Sequence, residues 1–211
     1  TTIDKVMFDS AWVVLGVAIA LDPDDTDPLL NDDLANWRAA PAVYGTADKM
    51  GTPGVANADC PEPPKVGWCR LQWPLEETVQ PGQLVTTYGR VFAEGITDLT
   101  DAVDPDPMLL GEVGVGPDLS LPEDNQDWTW TAAAGTLDWN ALDANEVGND
   151  EYTAELPAPM EQGPYDFAYR FSLDGGATWT YCDQAAGFEH DGSEDGYQAE
   201  NAGALTVAQE Q

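Results

Sequence analysis

Apolar and polar residues alternate with period two over much of this chain, the pattern of strands that bury one face. The clearest stretch places Tyr165, Phe167, Tyr169, Phe171 and Leu173 between Asp166, Ala168, Arg170 and Ser172. It predicts one buried face and one wet face. Asp174-Gly175-Gly176 follows, with the glycines that supply positive φ in a tight hairpin turn, and Ala177-Thr178-Trp179-Thr180-Tyr181-Cys182 returns. Strands are predicted at Leu84–Glu94, Leu109–Val115, Trp128–Ala132, Glu151–Leu156, Tyr165–Leu173, Thr178–Cys182 and Ala204–Val207. Their spacing between Lys65 and Val207 is that of a β-sandwich.

Two different patterns precede this region. In residues 1–21 the odd positions Ala11, Val13, Leu15, Val17, Ile19 and Leu21 are apolar, while the even ones pass from Trp12 and Val14 to Gly16, Ala18 and Ala20. β-branched content favours a strand, bulky on one side and small on the other, of about 35 Å at ~3.3 Å per residue. Left in water it would expose apolar surface and an unpaired backbone edge, so it must add to a sheet. Residues 22–64 contain Asp22-Pro23-Asp24-Asp25-Thr26-Asp27-Pro28 and Cys60-Pro61-Glu62-Pro63-Pro64, and read as a stiff linker with turns. A short helix around Leu29 to Arg38 is the one regular element expected there. The expected organisation is thus an N-terminal strand over 1–21, a linker over 22–64 and an all-β domain over 65–211.

Composition sharpens this outline. The chain has 211 residues, 43% of them hydrophobic, with 8 Trp, enough for a real core. Its 39 acidic residues against 7 basic ones give a net charge of −32. That field repels nucleic acid and anionic membranes, and it suits a saline medium or a surface that attracts divalent metal. The apolar run at Ala11–Leu21 is too short to span a bilayer, so no membrane insertion is expected. The chain opens Thr1-Thr2-Ile3 without Met or a basic leader, as a processed or trimmed form would. Cys60, Cys69 and Cys182 form no metal-binding pattern; one disulfide, hence an oxidising extracellular or cell-surface location, is expected. A single histidine, His190, excludes an imidazole-built zinc site.

Gly67-Trp68-Cys69-Arg70-Leu71-Gln72-Trp73-Pro74 and the stretch from Tyr165 through Asp183 carry a resemblance. Together with Tyr88-Gly89-Arg90-Val91 and Asn149-Asp150-Glu151-Tyr152, they resemble an immunoglobulin-like module of secreted bacterial proteins, often appended to extracellular hydrolases. The hairpin is also similar to that of starch-binding modules. The resemblance covers about Lys65 to Val207. It implies an extracellular immunoglobulin-like β-sandwich with a link between Cys69 and Cys182. Cys60 has no counterpart in it, and a Cys60–Cys69 loop across the prolines is the alternative pairing.

Three candidate sites follow. Asp191-Gly192-Ser193-Glu194-Asp195-Gly196 places oxygens at alternate positions before a glycine, the opening of a calcium loop. Asp191, Ser193, Asp195 and Glu189 are its candidate ligands, with Glu200 and Asp183 in reserve; Ala202 stands where the usual Glu would be. The competing interpretation is a solvated acidic turn. The scattered acids Asp22, Asp24, Asp25, Asp27, Asp32 and Asp33 read as a solvated linker. Trp128, Trp130, Trp179 and Tyr181 fit a platform for stacking sugar rings or, equally in kind, a sandwich core. There is no Gly-x-Ser-x-Gly elbow or phosphate loop, and acids are too many for any pair to be nominated, so no enzyme is expected.

The function expected on these grounds is an extracellular fibre or pilus-like subunit. Its strand of Ala11, Val13, Leu15, Val17, Ile19 and Leu21 would add to a neighbour's sheet, making a head-to-tail homopolymer. The alternatives are a secreted carbohydrate-binding module with a polysaccharide partner and a monomeric cell-surface immunoglobulin-like protein. Calcium is the one cofactor considered.

Overall fold

The computed structural model describes residues 19–21, 37–39, 64–184 and 192–209. The chain divides into two compact units, Thr1–Pro63 and Pro64–Gln211. In the first, β1 (Ile19–Leu21) pairs antiparallel with β2 (Trp37–Ala39), Ile19 opposite Ala39 and Leu21 opposite Trp37. Trp37 and Arg38 are therefore strand, where the sequence suggested the end of a short helix. Cross-strand pairing with β1 overrides a weak helical preference in so short a run. Of the expected N-terminal strand, Ile19 and Leu21 are described and extended, while Ala11, Val13, Leu15 and Val17 lie outside the described residues, as does Cys60. The small side is the more enclosed: Ala20 is buried and its bulkier neighbours are half-buried.

The second unit is all-β. Its strands are β3 (Trp68–Trp73), β4 (Glu76–Val79), β5 (Leu84–Phe92), β6 (Leu110–Pro117), β7 (Thr129–Gly135), β8 (Asp150–Pro157), β9 (Gly163–Ser172), β10 (Thr180–Cys182) and β11 (Gly203–Val207). They hydrogen-bond in the order β3-β5-β8-β7-β6-β9-β11-β4, with β10 on the remaining edge of β9. Pairing is antiparallel except between β4 and β11. Consecutive strands β3 and β4 thus occupy opposite ends of the path, and the sheet curls on itself. Leu71 closes it, bridging to Gln184 and donating its N–H to the Asp183 carbonyl at 2.7 Å. The Cys69–Cys182 disulfide lies beside that contact, with the two Cα atoms 5.4 Å apart, the pairing that the resemblance implied.

Inside the curl, alternate residues pack together: Val85 and Val91 of β5, Val113 and Val115 of β6, Leu156 of β8, and Phe167, Tyr169 and Phe171 of β9. Tyr169 lies flat against β5 at Gly89, where an added Cβ would fall 2.4 Å from its ring. Its hydroxyl donates to the Thr87 carbonyl at 2.9 Å, so the ring's polar end is satisfied in the core. All seven strands predicted from alternation exist with shifted ends. β3 and β4 were not predicted, because Pro74 interrupts them and Glu76-Glu77 hides the alternation.

Two local expectations are corrected. The β9–β10 register pairs Phe171 with Thr180, so the connection is the longer loop 173–179 and not a tight turn. The Asp174 carboxylate organises that loop, accepting from Thr178 N–H at 2.9 Å, Thr178 Oγ1 at 2.6 Å and Ser172 Oγ at 2.7 Å. In addition, the supposed wet face of β9 is covered, since Asp166, Ala168 and Ser172 are buried.

Between β7 and β8 the sheet opens. β8 meets β7 only through Ala134 and Gly135, while the rest of β7 pairs with β6 and all of β8 with β5. The two strands splay into a seam with a hollow of about 380 Å³ at its mouth, lined by residues that include Thr129, Pro157 and Met160.

Gly89→Ala tests the closeness of the core. Its methyl group requires Tyr169 to shift against Phe171, and the variant should lose about 1–3 kcal/mol in urea unfolding with an unchanged m-value.

Candidate functional site

The cover over β9 is built from the outward positions of four strands. Glu112, Gly114 and Gly116 of β6 stand opposite Arg170, Ala168 and Asp166 of β9. Trp130 of β7 is opposite Gly114, and Tyr181 of β10 is opposite Arg170. The small β6 residues make room: a Cβ on Gly114 would lie 2.6 Å from the Trp130 ring, and one on Gly116 2.4 Å from Trp128. The indoles therefore lie directly on the β6 backbone.

The side chains form a layered stack. Trp128 stacks on Trp130 with centroids 5.6 Å apart. The Arg170 guanidinium sits 3.9 Å from the Trp130 ring centre and 4.0 Å from that of Trp179. It also pairs with Glu112 Oε2 through Nε at 2.9 Å and Nη2 at 2.5 Å. A planar cation can stack on rings while its N–H groups point sideways to a carboxylate, which suits arginine and not lysine. Tyr181 leans on Trp130 at 5.8 Å, and Tyr197 meets Trp128 edge-on at 6.2 Å.

All four residues proposed from sequence as a sugar platform thus share one face, though not one role. Trp128 is 4% exposed and donates its indole N–H to Ser120 Oγ at 2.9 Å. Trp130 is engaged by Trp128, Arg170 and Tyr181. Trp179 and Tyr181, by contrast, line a cleft of about 360 Å³, together with Leu121, Pro122, Glu123 and Tyr197. Tyr197 was not singled out in the sequence. It lies in an acidic, irregular stretch whose periodicity carries no signal.

That stretch is the segment considered for calcium. Gly192–Asp195 and Ala199–Asn201 are single 3-10 turns flanking Tyr197. Ser193 Oγ accepts the Cys69 N–H at 2.9 Å, and Asp195 Oδ2 accepts from Gln198 Nε2 at 2.6 Å. Asp191 and Glu189 lie outside the described residues. Among the described residues, no three acidic, His or Cys side chains are placed to hold a metal. The segment forms a wall of the cleft, fastened to β3 beside the disulfide.

Two buried carboxylates stand behind the cleft. Asp183 is 1% exposed, and its Oδ2 accepts the Gln198 N–H at 2.6 Å. Burial, helped by Asp195 and Glu200, pushes it up to about 7. Asp166 is 4% exposed and is raised to about 6 by burial and by Asp118, against hydrogen bonds from the Leu119 and Ser120 backbones. Both acids push the Tyr197 phenol upward as well, after burial. On the far side, buried Asp150 is lifted to about 7 by desolvation, with the Asp104 charge adding to it.

The other two arginines of the second unit repeat the pairing seen at Arg170. Arg90 binds Glu146 at 2.6 Å and Glu151 at 3.0 Å beneath Trp139, and Arg70 also pairs with Glu146.

The chain matches no protein-family model and no curated protein. No helix among the described residues is long and apolar enough to cross a membrane.

The raised acids fix a sign for stability against pH. Asp150, Asp166 and Asp183 hold protons in the folded state at pH values where the unfolded chain has released them. Stability should therefore increase as pH falls from about 8 to about 5, the window between their folded and unfolded titrations. Thermal melting across that range checks it, and Asp183→Asn, which keeps the acceptor for Gln198, should flatten the slope.

Proposed function

We propose that the C-terminal unit is an extracellular immunoglobulin-like β-sandwich that binds a glycan without processing it. The observation that carries this reading is the cleft walled by Trp179, Tyr181 and Tyr197 beside the stacked face of β6, β7 and β9. Sugars offer an apolar ring face and a hydroxyl rim, and aromatic walls with a few polar groups are the matching surface. The stack behind the cleft holds Trp179 through Arg170, so its ring is pre-positioned and little side-chain entropy is lost on binding. Disulfide closure and the sequence resemblance of the hairpin to secreted modules support the extracellular location.

Retention on insoluble polysaccharides tests this directly. The full chain should be retained on at least one neutral or amino-sugar polymer. Trp179→Ala should weaken that by about tenfold or more while the circular dichroism of the fold persists. Retention unchanged by Trp179→Ala and Tyr181→Ala would sink the proposal.

A second reading, self-assembly by strand addition, is supported by the seam between β7 and β8, which presents backbone edges at its open end. A strand such as Ala11–Leu21 from a second copy has the length and apolarity to fill such an edge. The end of that strand is already paired with β2 on one side, which is why this reading stands second. Sedimentation and electron microscopy of the intact chain should show concentration-dependent polymers; a monodisperse monomer without fibres overturns it.

A further inference from the structure

Building on the glycan-binding reading, we propose that the group received between Trp179, Tyr181 and Tyr197 is an organic ammonium, such as an amino sugar carries. Three aromatic side chains line one cleft, and an aromatic ring carries negative potential on its face. The protein already shows that Trp179 accepts a cation, because the Arg170 guanidinium lies 4.0 Å from its ring centre.

Charge selects the ligand further. Among the described residues, Glu123 lines the cleft and no Lys, Arg or His does. Every arginine of the unit is paired internally: Arg70 and Arg90 with Glu146, Arg90 also with Glu151, and Arg170 with Glu112. A uronic acid or sulfated sugar would thus meet carboxylates with no cation to balance it, at the surface of a chain of net charge −32. Behind the wall, burial together with Asp166 and Asp183 holds the Tyr197 phenol neutral. A neutral sugar could stack on these rings but would gain nothing from the Glu123 carboxylate; an ammonium gains from both.

A general acidic surface also attracts any polycation, so the decisive variants are those that leave the charge unchanged. Calorimetry on the full chain would compare a glucosamine tetramer with its N-acetylated counterpart at about pH 5.5, where the free amine is charged. The glucosamine oligomer should bind about tenfold tighter or more, with the difference shrinking as salt is raised. Trp179→Ala and Tyr181→Ala should each abolish most of that preference. Glu123→Gln, on the exposed rim where folding is not at stake, should weaken the charged oligomer a few-fold and leave the neutral one unchanged.

Equal or tighter binding of the N-acetylated oligomer, lost in Trp179→Ala, would overturn the ammonium assignment and leave the glycan reading standing. Charged-oligomer binding that survives both aromatic variants would show attraction to the bulk acidic surface and overturn the assignment. Absence of binding by either oligomer would overturn the ammonium assignment, while the glycan reading falls only if the chain is also retained on none of the insoluble polysaccharides.

Discussion

Burial of both faces of β9 is the constraint on which the rest of the second unit depends. On its inner face Phe167, Tyr169 and Phe171 fill the curl and lie against β5, β6 and β8. On its outer face Asp166, Ala168 and Ser172 are buried and Arg170 lies between the indoles of Trp130 and Trp179. A strand covered on both sides normally reads as a continuous apolar run. Here the outer face is polar, so each polar group under the roof needs a partner. Arg170 finds one in Glu112, and Ser172 finds one in Asp174. Asp166 keeps one oxygen without a partner and responds by holding its proton more tightly.

The roof and the cleft are two consequences of one arrangement. Gly114 and Gly116 let Trp130 and Trp128 lie on the β6 backbone, which places Arg170 above Trp130 and Trp179 beyond it. Trp179 is then the outermost layer of the stack and the first wall of the cleft. The opposite wall, around Tyr197, is fixed from the other end of the sheet. Gly192 packs so closely on β3 that a Cβ would fall 2.1 Å from the Cys69 carbonyl oxygen, and Ser193 receives the N–H of the same cysteine. The disulfide therefore joins β10, which carries Tyr181, to β3, on which the Tyr197 segment is fastened.

Electrostatics follows the same economy. With seven basic residues against thirty-nine acids, a loose arginine would be the cheapest way to relieve repulsion. The arginines of this unit are instead held under tryptophans and bound to particular glutamates, where they act as local staples. Three carboxylates are buried deeply enough to resist ionisation, and the excess negative charge is carried by the others. Such a surface repels anions, and mild acid favours the folded state by protonating the buried carboxylates.

The alternation of Tyr165, Phe167, Tyr169, Phe171 and Leu173 determined by itself that β9 exists and which side faces the core, because side-chain direction in a strand has a strict period of two. It likewise located the other long strands, and of the aromatic pairs Trp128/Trp130 and Trp179/Tyr181 that it singled out, the second lines the cleft. Tertiary structure decided what periodicity cannot encode. Whether the second face of β9 is wet depends on residues 40 positions away that happen to reach it, and Arg170 looked solvated until Trp130 and Trp179 closed on it. β3 and β4 emerge only once β5 and β11 are there to pair with, and Tyr197 enters the site only because Ser193 and Asp183 fasten its irregular segment to the sheet. Local pattern sets the direction of side chains along a strand; partners from distant strands decide what those side chains meet.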